Sequence, residues 1–169
     1  LSGIRYEAAK AFYKEEKWSS GMEQIEEILK VDNSFIPAHI LKGNIYYKQG
    51  KPSSAVKIWE RAYRRYHHIA LFMQLEELYL KESLPYKIIR LYKRTIDFHP
   101  EDKRLKLFLA RLYLRLEMID EAIKELEGLL SECEDSKYLN LLLADAYTRR
   151  RRFDNAVTAF KNVIGISKD

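Results

Sequence analysis

Five cations stand at nearly equal intervals along the chain: Lys14, Lys48, Lys81, Arg115 and Arg149, spaced 34, 33, 34 and 34 residues apart. Ammonium and guanidinium groups stay charged at neutral pH, so their chemistry is the holding of anions rather than proton transfer. Each follows a residue that can form a contact surface: Tyr13, Tyr47, Leu80, Leu114 and Thr148. Asn44 and Arg111 lie four residues ahead of Lys48 and Arg115, on the same side if these stretches are helical. A row of cations over an apolar and aromatic floor suits an extended peptide segment carrying acids and hydrophobic anchors. The alternative is that the cations only solvate an exposed face. On the binding reading the contact residues are Tyr13, Asn44, Tyr47, Lys48, Lys81, Arg111, Arg115 and Arg149.

Other chemistry finds little support. The glycines are isolated, so no phosphate loop is present, and no Ser/His/Asp set stands out. Glu15-Glu16, Glu26-Glu27 and Glu76-Glu77 read as solvated helix faces. His67 and His68 are adjacent and would point to different faces of a helix, which favours a linker over a metal site. The single cysteine, Cys133, cannot form an intrachain disulfide or a zinc site alone, and fits a reducing compartment. Its neighbours Glu132, Glu134 and Asp135 oppose a reactive thiolate. The expectation is a non-enzyme without cofactor, metal or small-molecule substrate. Arg149 to Arg152 and a net charge of +5 raise nucleic acid or an anionic membrane surface as partners. Four consecutive arginines diverge, however, and no aromatic stacking platform lies beside them, so nucleic acid ranks below a protein partner.

The interval of the cations belongs to a longer pattern. With Ile36 as position 1 of a 34-residue unit, Gly43, Tyr46, Ala55, Trp59 and Ala62 fall at positions 8, 11, 20, 24 and 27. The same positions recur from Ser2, Ile69, Lys103 and Lys137, and position 11 reads Phe12, Tyr46, Tyr79, Tyr113 and Tyr147. The units are 2–35, 36–68, 69–102, 103–136 and 137–169, forming one array over 1–169. Six glycines and four prolines are few enough for a helical chain, and 47% hydrophobic residues can build a core shared between neighbouring repeats. No apolar run is long enough to cross a membrane, and Leu1 to Gly3 do not resemble a signal peptide.

This pattern of small and aromatic positions, with Pro100 closing the third unit, resembles the tetratricopeptide repeat (TPR) family over nearly the whole chain. The resemblance implies an all-α, right-handed superhelical array of five helix hairpins, with the first helix of each lining a concave groove at positions 2, 5, 9, 12 and 13. Glu76, Ile88 and Thr95 depart from the small positions, so the third repeat is expected to pack less closely or sit offset. Chaperone-binding members hold a C-terminal carboxylate with a Lys/Asn clamp. Asn44 fits one clamp position, but Lys10 stands where Asn is needed, so chaperone tails are not expected.

Turn signals divide each unit. The first helix should run from Ser2 to about Glu15, with Asp32 and Ser34 capping the helix of the second unit. Gly50 and Pro52 mark the end of one helix and the start of the next, which runs to Tyr66. Asp120 is expected as an N-cap, and the last helix should run from Phe153 to Ile166. That helix keeps Val157, Phe160 and Ile164 on a face that a terminal repeat would make polar. The expectation is a piece of a longer protein, or a partner or second copy on that face.

Within the family, residues 115–122, 146–150 and 153–156, Gly43 to Tyr46 and the helix around Trp59 are similar to the repeat region of bacterial LapB (YciM) proteins. Those proteins regulate lipopolysaccharide synthesis with the membrane protease FtsH and the deacetylase LpxC. The resemblance implies an adaptor at the cytoplasmic face of the bacterial inner membrane, with a membrane protease or lipopolysaccharide enzyme as partner. The LapB membrane helix and zinc-binding cysteine pairs have no counterpart in these 169 residues. A general scaffold for envelope, secretion or pilus assembly is the competing reading.

Overall fold

In a computed structural model, residues 2–133 and 136–165 are described, and they form ten α-helices without a strand. The helices are α1 (Ser2–Lys14), α2 (Trp18–Val31), α3 (Ile36–Lys48), α4 (Pro52–Tyr66), α5 (Ile69–Lys81), α6 (Pro85–Phe98), α7 (Lys103–Arg115), α8 (Ile119–Glu132), α9 (Lys137–Arg149) and α10 (Phe153–Ile164). Odd-numbered helices are the first, or A, helix of each repeat, and even-numbered helices the second, or B, helix. Ile166, the expected end of the last helix, and the acids Glu134 and Asp135 beside Cys133 lie outside the described residues.

The helices gather into two compact units, 1–88 and 89–169. In the first, α1 pairs with α2 and α3 with α4, while α2 touches α3 and α4 touches α5. Consecutive A helices also meet, α1 with α3 and α3 with α5, which places their outer faces side by side. Ala9, Ile25, Ile28, Ala38, Leu41 and Ile45 form a buried cluster, flanked by Tyr6, Tyr13, Trp18, Met22, Leu29 and Phe35. Further along, Tyr63 of α4 meets Phe72 of α5 edge to face, with ring centroids 4.8 Å apart. In the second unit α7 pairs with α8 and α9 with α10, and α8 joins the pairs by packing on α9. Leu109, Leu112, Tyr113, Ile123, Leu126 and Leu143 form its buried interior. Within the third repeat Ile88 and Thr95 are buried, and the Thr95 hydroxyl donates to the Leu91 carbonyl at 2.8 Å.

Every hairpin turn is built the same way. Glu16, Gly50, Ser83, Glu117 and Arg151, all at position 15 of their repeats, have φ of 59°, 72°, 56°, 56° and 59°. The next N–H returns to the carbonyl of the position-11 aromatic at 2.8–2.9 Å in each repeat, from Lys17 to Phe12 through Arg152 to Tyr147. This bonding closes the A helix as a Schellman motif. Four of the five left-handed positions carry a side chain where glycine is the comfortable residue.

The caps differ from expectation. Asp120 is not an N-cap. Met118 holds that place without a side-chain bond, and Asp120 sits in the first turn of α8, where it faces arginines instead. The reason is the turn itself: the Met118 N–H is already committed to the Tyr113 carbonyl, so the backbone alone sets the entry to α8. Asp32 and Ser34 do not cap α3 either. Asp32 ends α2, and its carboxylate accepts from the Ser34 N–H at 2.9 Å, while Phe35 is the residue before α3. Side-chain caps occur between repeats instead, where His68, Asp102 and Ser136 accept from the N–H groups of Ala70, Arg104 and Leu139. The histidine pair is thus a helix junction: His67 ends α4 in a left-handed conformation and His68 begins α5.

Candidate partner-binding groove

Three of the expected contact residues come together on the first unit. Asn44 and Tyr47 of α3 and Lys81 of α5 line a small cleft of about 50 Å³, with Trp59, Gln74, Glu77 and Leu78 as its other walls. Asn44 and Tyr47 are three residues apart on one helix and therefore share a face. The Lys81 ammonium lies 5.9 Å from the Tyr47 ring centroid, within cation–π range. Glu77, one turn earlier on α5, holds the same ammonium at 3.8 Å. Lys48 is exposed beside Tyr47 and has no ion-pair partner among the described residues. The cleft therefore presents two amides, a phenol and one cation, Lys81, tethered to Glu77, while the untethered Lys48 stands next to Tyr47 outside the lining. That set can receive a carboxylate and a peptide amide.

Trp59 gives the cleft its rigid back wall. It is almost wholly buried, and its indole N–H donates to the Ile40 carbonyl at 3.2 Å. Gly43 makes this possible, since a Cβ there would stand 2.0 Å from the indole nitrogen.

Tyr13 occupies the corresponding place in the first repeat. It meets Trp18 edge to face with centroids 5.7 Å apart and packs beside the α1–α3 core. Burial pushes its phenol pKa up. Lys14 beside it is exposed.

On the second unit Arg111 and Arg115 are exposed on α7. Arg149 is different. Its guanidinium binds Asp145 at 2.9 Å and Glu117 at 3.1 Å, and reaches the Leu114 carbonyl at 3.5 Å. These carboxylates, Asp145 foremost, push its pKa up and use its charge inside the repeat junction. The rest of the arginine run is similarly occupied. Arg150 pairs with Asp120 at 2.8 Å and Arg152 approaches the same carboxylate at 3.8 Å, while Arg151 takes the left-handed turn position.

Sequence reasoning missed Trp59, Gln74 and Glu77 as walls of the cleft. It also missed a tie between repeats: the Tyr147 hydroxyl donates to Glu127 at 2.6 Å, and Tyr79 approaches Glu60 at 3.5 Å. Glu60 and Glu127 both stand at position 25, one unit ahead of a position-11 tyrosine, and that recurrence is the signal that finds them.

Among the described residues no three His, Cys, Asp or Glu side chains converge as metal ligands, and no helix is long and apolar enough to cross a membrane. Cys133 is half-buried, with the Lys103 ammonium 3.3 Å from its sulfur.

Two tetratricopeptide-repeat family models match the chain, one over residues 87–145 and one over 139–169. A TPR repeat-containing protein from Methanocaldococcus jannaschii, MJ1428, is 29% identical over 128 residues, which cover 75% of this chain and 23% of that protein. The chain thus spans about a quarter of the length of that relative. Among solved structures, MamA from Desulfovibrio magneticus RS-1 aligns with a TM-score of 0.60 at 13% identity, over 98% of this chain and 94% of that one. YrrB, described as a TPR protein with an unusual peptide-binding site, aligns with a TM-score of 0.56 at 17% identity, over 98% and 86%. The chain has the tetratricopeptide-repeat fold, and residues 87–169 match models of that family.

Proposed function

We propose that the chain is a non-catalytic scaffold that holds a segment of a partner protein on its A-helix face. The convergence of Asn44, Tyr47 and Lys81 from two successive repeats carries this reading. A solved neighbour of the same fold is described as peptide-binding, which makes a peptide segment the natural occupant. The segment would place a carboxylate near Lys48 and Lys81 and an apolar side chain against Tyr47. Tyr13, Arg111, Arg115 and Arg149 are further contacts in this proposal, with Arg149 the weakest because Asp145 and Glu117 already hold it.

Peptides selected from a displayed random library on the intact chain test the proposal. Titration of the best peptide by calorimetry should show a loss of about tenfold or more in Asn44→Ala/Lys81→Glu. Unchanged affinity in that variant would move the site elsewhere.

A narrower reading rests on the sequence segments similar to LapB. In it the chain is the adaptor part of a regulator of lipopolysaccharide synthesis, at the inner face of a bacterial inner membrane. Its partner is then a membrane protease or a lipopolysaccharide enzyme, and co-purification of either with the wild type but not with Lys48→Glu/Arg115→Glu is the expected result. A scaffold for envelope, secretion or pilus assembly is the alternative. The exposed face of α10 supports a contact with a further helix or a second copy: Phe160 and Ile164 are 46% and 66% exposed, whereas Trp59 and Tyr63 at the same repeat positions are 2% and 8% exposed. Sedimentation at several concentrations distinguishes self-association from a monomer.

A further inference from the structure

Helices α2, α3 and α4 enclose a second and larger cleft, of about 580 Å³. Lys42 lines it and Asn44 lines the first cleft. Residues two positions apart on a helix of 3.6 residues per turn point about 200° apart, so the two clefts open on opposite sides of α3.

The second cleft has an apolar floor of Leu29, Ile58 and Ala62, and its walls carry Lys30, Lys42, Arg61 and Arg65 against one carboxylate, Glu26. Glu26 is bound to Lys42, and Lys30 is paired with Glu27 at 2.6 Å. Arg61 and Arg65, one turn apart and exposed on α4, have no ion-pair partner among the described residues. The Arg65 guanidinium lies 5.6 Å from the Tyr66 ring centroid, and His39 covers the same ring at 5.5 Å. The Tyr66 hydroxyl donates to the Asn33 side chain at 2.9 Å, which fixes the end of the cleft.

The fold does not require these cations. The equivalent cleft of the second unit, between α8, α9 and α10, is lined by Glu127, Asn140, Leu143, Asp154 and Asn162 among others, with no cation. Position for position, Lys30 becomes Ser131, His39 becomes Asn140, Lys42 becomes Leu143 and Arg61 becomes Asn162. One cleft is basic and the other is not, in the same architecture. Its charge is therefore a property of this site.

We propose that the α2–α3–α4 cleft is a second docking site, for an acidic peptide segment with an apolar anchor between carboxylates. The anchor would rest on Leu29, Ile58 and Ala62, and the flanking carboxylates would meet Arg61, Arg65 and Lys30. Ile58 to Arg65 spans about 10 Å of helix at 1.5 Å per residue, room for about three extended residues. A nucleic-acid strand fits less well. The floor is aliphatic, Glu26 would face the phosphates, and the two rings in the lining, Tyr66 and His39, already pack on each other, with Arg65 against Tyr66. The site is independent of the A-helix cleft, and its test separates the two.

The probe is a fluorescein-labelled peptide of sequence Glu-Glu-Leu-Glu-Glu, titrated by anisotropy with the intact chain in dilute salt. Arg61→Glu/Arg65→Glu should weaken binding by about tenfold or more, and Lys48→Glu/Lys81→Glu by less than about twofold. Both pairs are exposed, and circular dichroism melts check that each variant folds. Arg61→Ala/Arg65→Ala should give an intermediate loss. Absence of wild-type binding, or loss in the Lys48/Lys81 variant alone, overturns the proposal. So does tighter binding of a labelled single-stranded oligonucleotide that depends on the same two arginines, since that would make the occupant a nucleic acid.

Discussion

The indole of Trp59 lies where a side chain on Gly43 would be. A Cβ at Gly43 would come within 2.0 Å of the indole nitrogen and 2.2 Å of its neighbouring ring carbon. The contact lets α3 and α4 approach closely, buries Trp59, and leaves its N–H in reach of the Ile40 carbonyl at 3.2 Å. It also fixes the wall against which Asn44 and Lys81 form the candidate site.

Gly43→Ala should therefore destabilise the first unit by about 2 kcal/mol or more, the cost of overpacking a rigid ring rather than of losing a contact. Trp59→Ala should cost about 3–5 kcal/mol. Combined with Trp59→Leu, Gly43→Ala should be nearly neutral. Urea unfolding of the wild type, Gly43→Ala, Trp59→Leu and Gly43→Ala/Trp59→Leu in a double-mutant cycle checks this, and additive losses would contradict it.

The shared turn makes a second prediction. Ser83 holds φ of 56° at the position where Gly50 has 72°. Ser83→Gly should stabilise by about 0.5–1 kcal/mol, as relief of left-handed strain outweighs added chain entropy, and Gly50→Ala should destabilise by a similar amount. Thermal melts of the two variants should shift in opposite directions.

The arginine run divides by partner. Arg149 clamps Glu117 and Asp145, so Arg149→Ala should cost about 0.5–1 kcal/mol, within the range of exposed ion pairs. Arg151 has only its turn conformation to lose, and Arg151→Gly should stabilise rather than destabilise. Chemical denaturation reads both. A larger loss in Arg151→Gly than in Arg149→Ala would contradict the assignment.

Tyr147 makes stability depend on alkaline pH. Burial first, then the hydrogen bond to Glu127, push its phenol pKa up to about 12, against an ordinary value of 10.0. The folded state thus holds the phenolic proton more tightly than the unfolded chain. The contribution is complete below pH 10 and is lost as pH rises through about 12. Tyr147→Phe should flatten that part of the stability profile, as followed by urea midpoints between pH 9 and about 12.

Much of the fold was legible because packing repeats. Position 11 must present an aromatic body to the hairpin interior, so Phe12 and the four tyrosines that follow it mark the register. The caps were not legible. Within hairpins the turn is closed by backbone bonds to the position-11 carbonyl, which accept Lys17, Lys51, Met118 or Arg152 at the helix entry without a side-chain cap. Asp120, free of that duty, binds arginines from the next repeat. The candidate site was legible in part. Asn44, Tyr47 and Lys81 follow from helical spacing within a repeat, but Glu77 and Trp59 enter through tertiary contacts that spacing does not encode. Arg149 shows the limit of reading a charge from its period: the interval matches, yet Asp145 and Glu117 decide what the charge does.

The most direct measurement is amide chemical-shift mapping of a library-selected peptide on the isotope-labelled chain. Binding on the A-helix face should move the signals of Asn44, Tyr47, Gln74 and Lys81 together, with the Trp59 indole N–H among them. Shifts confined to other surfaces, with these five signals still, would contradict the central claim.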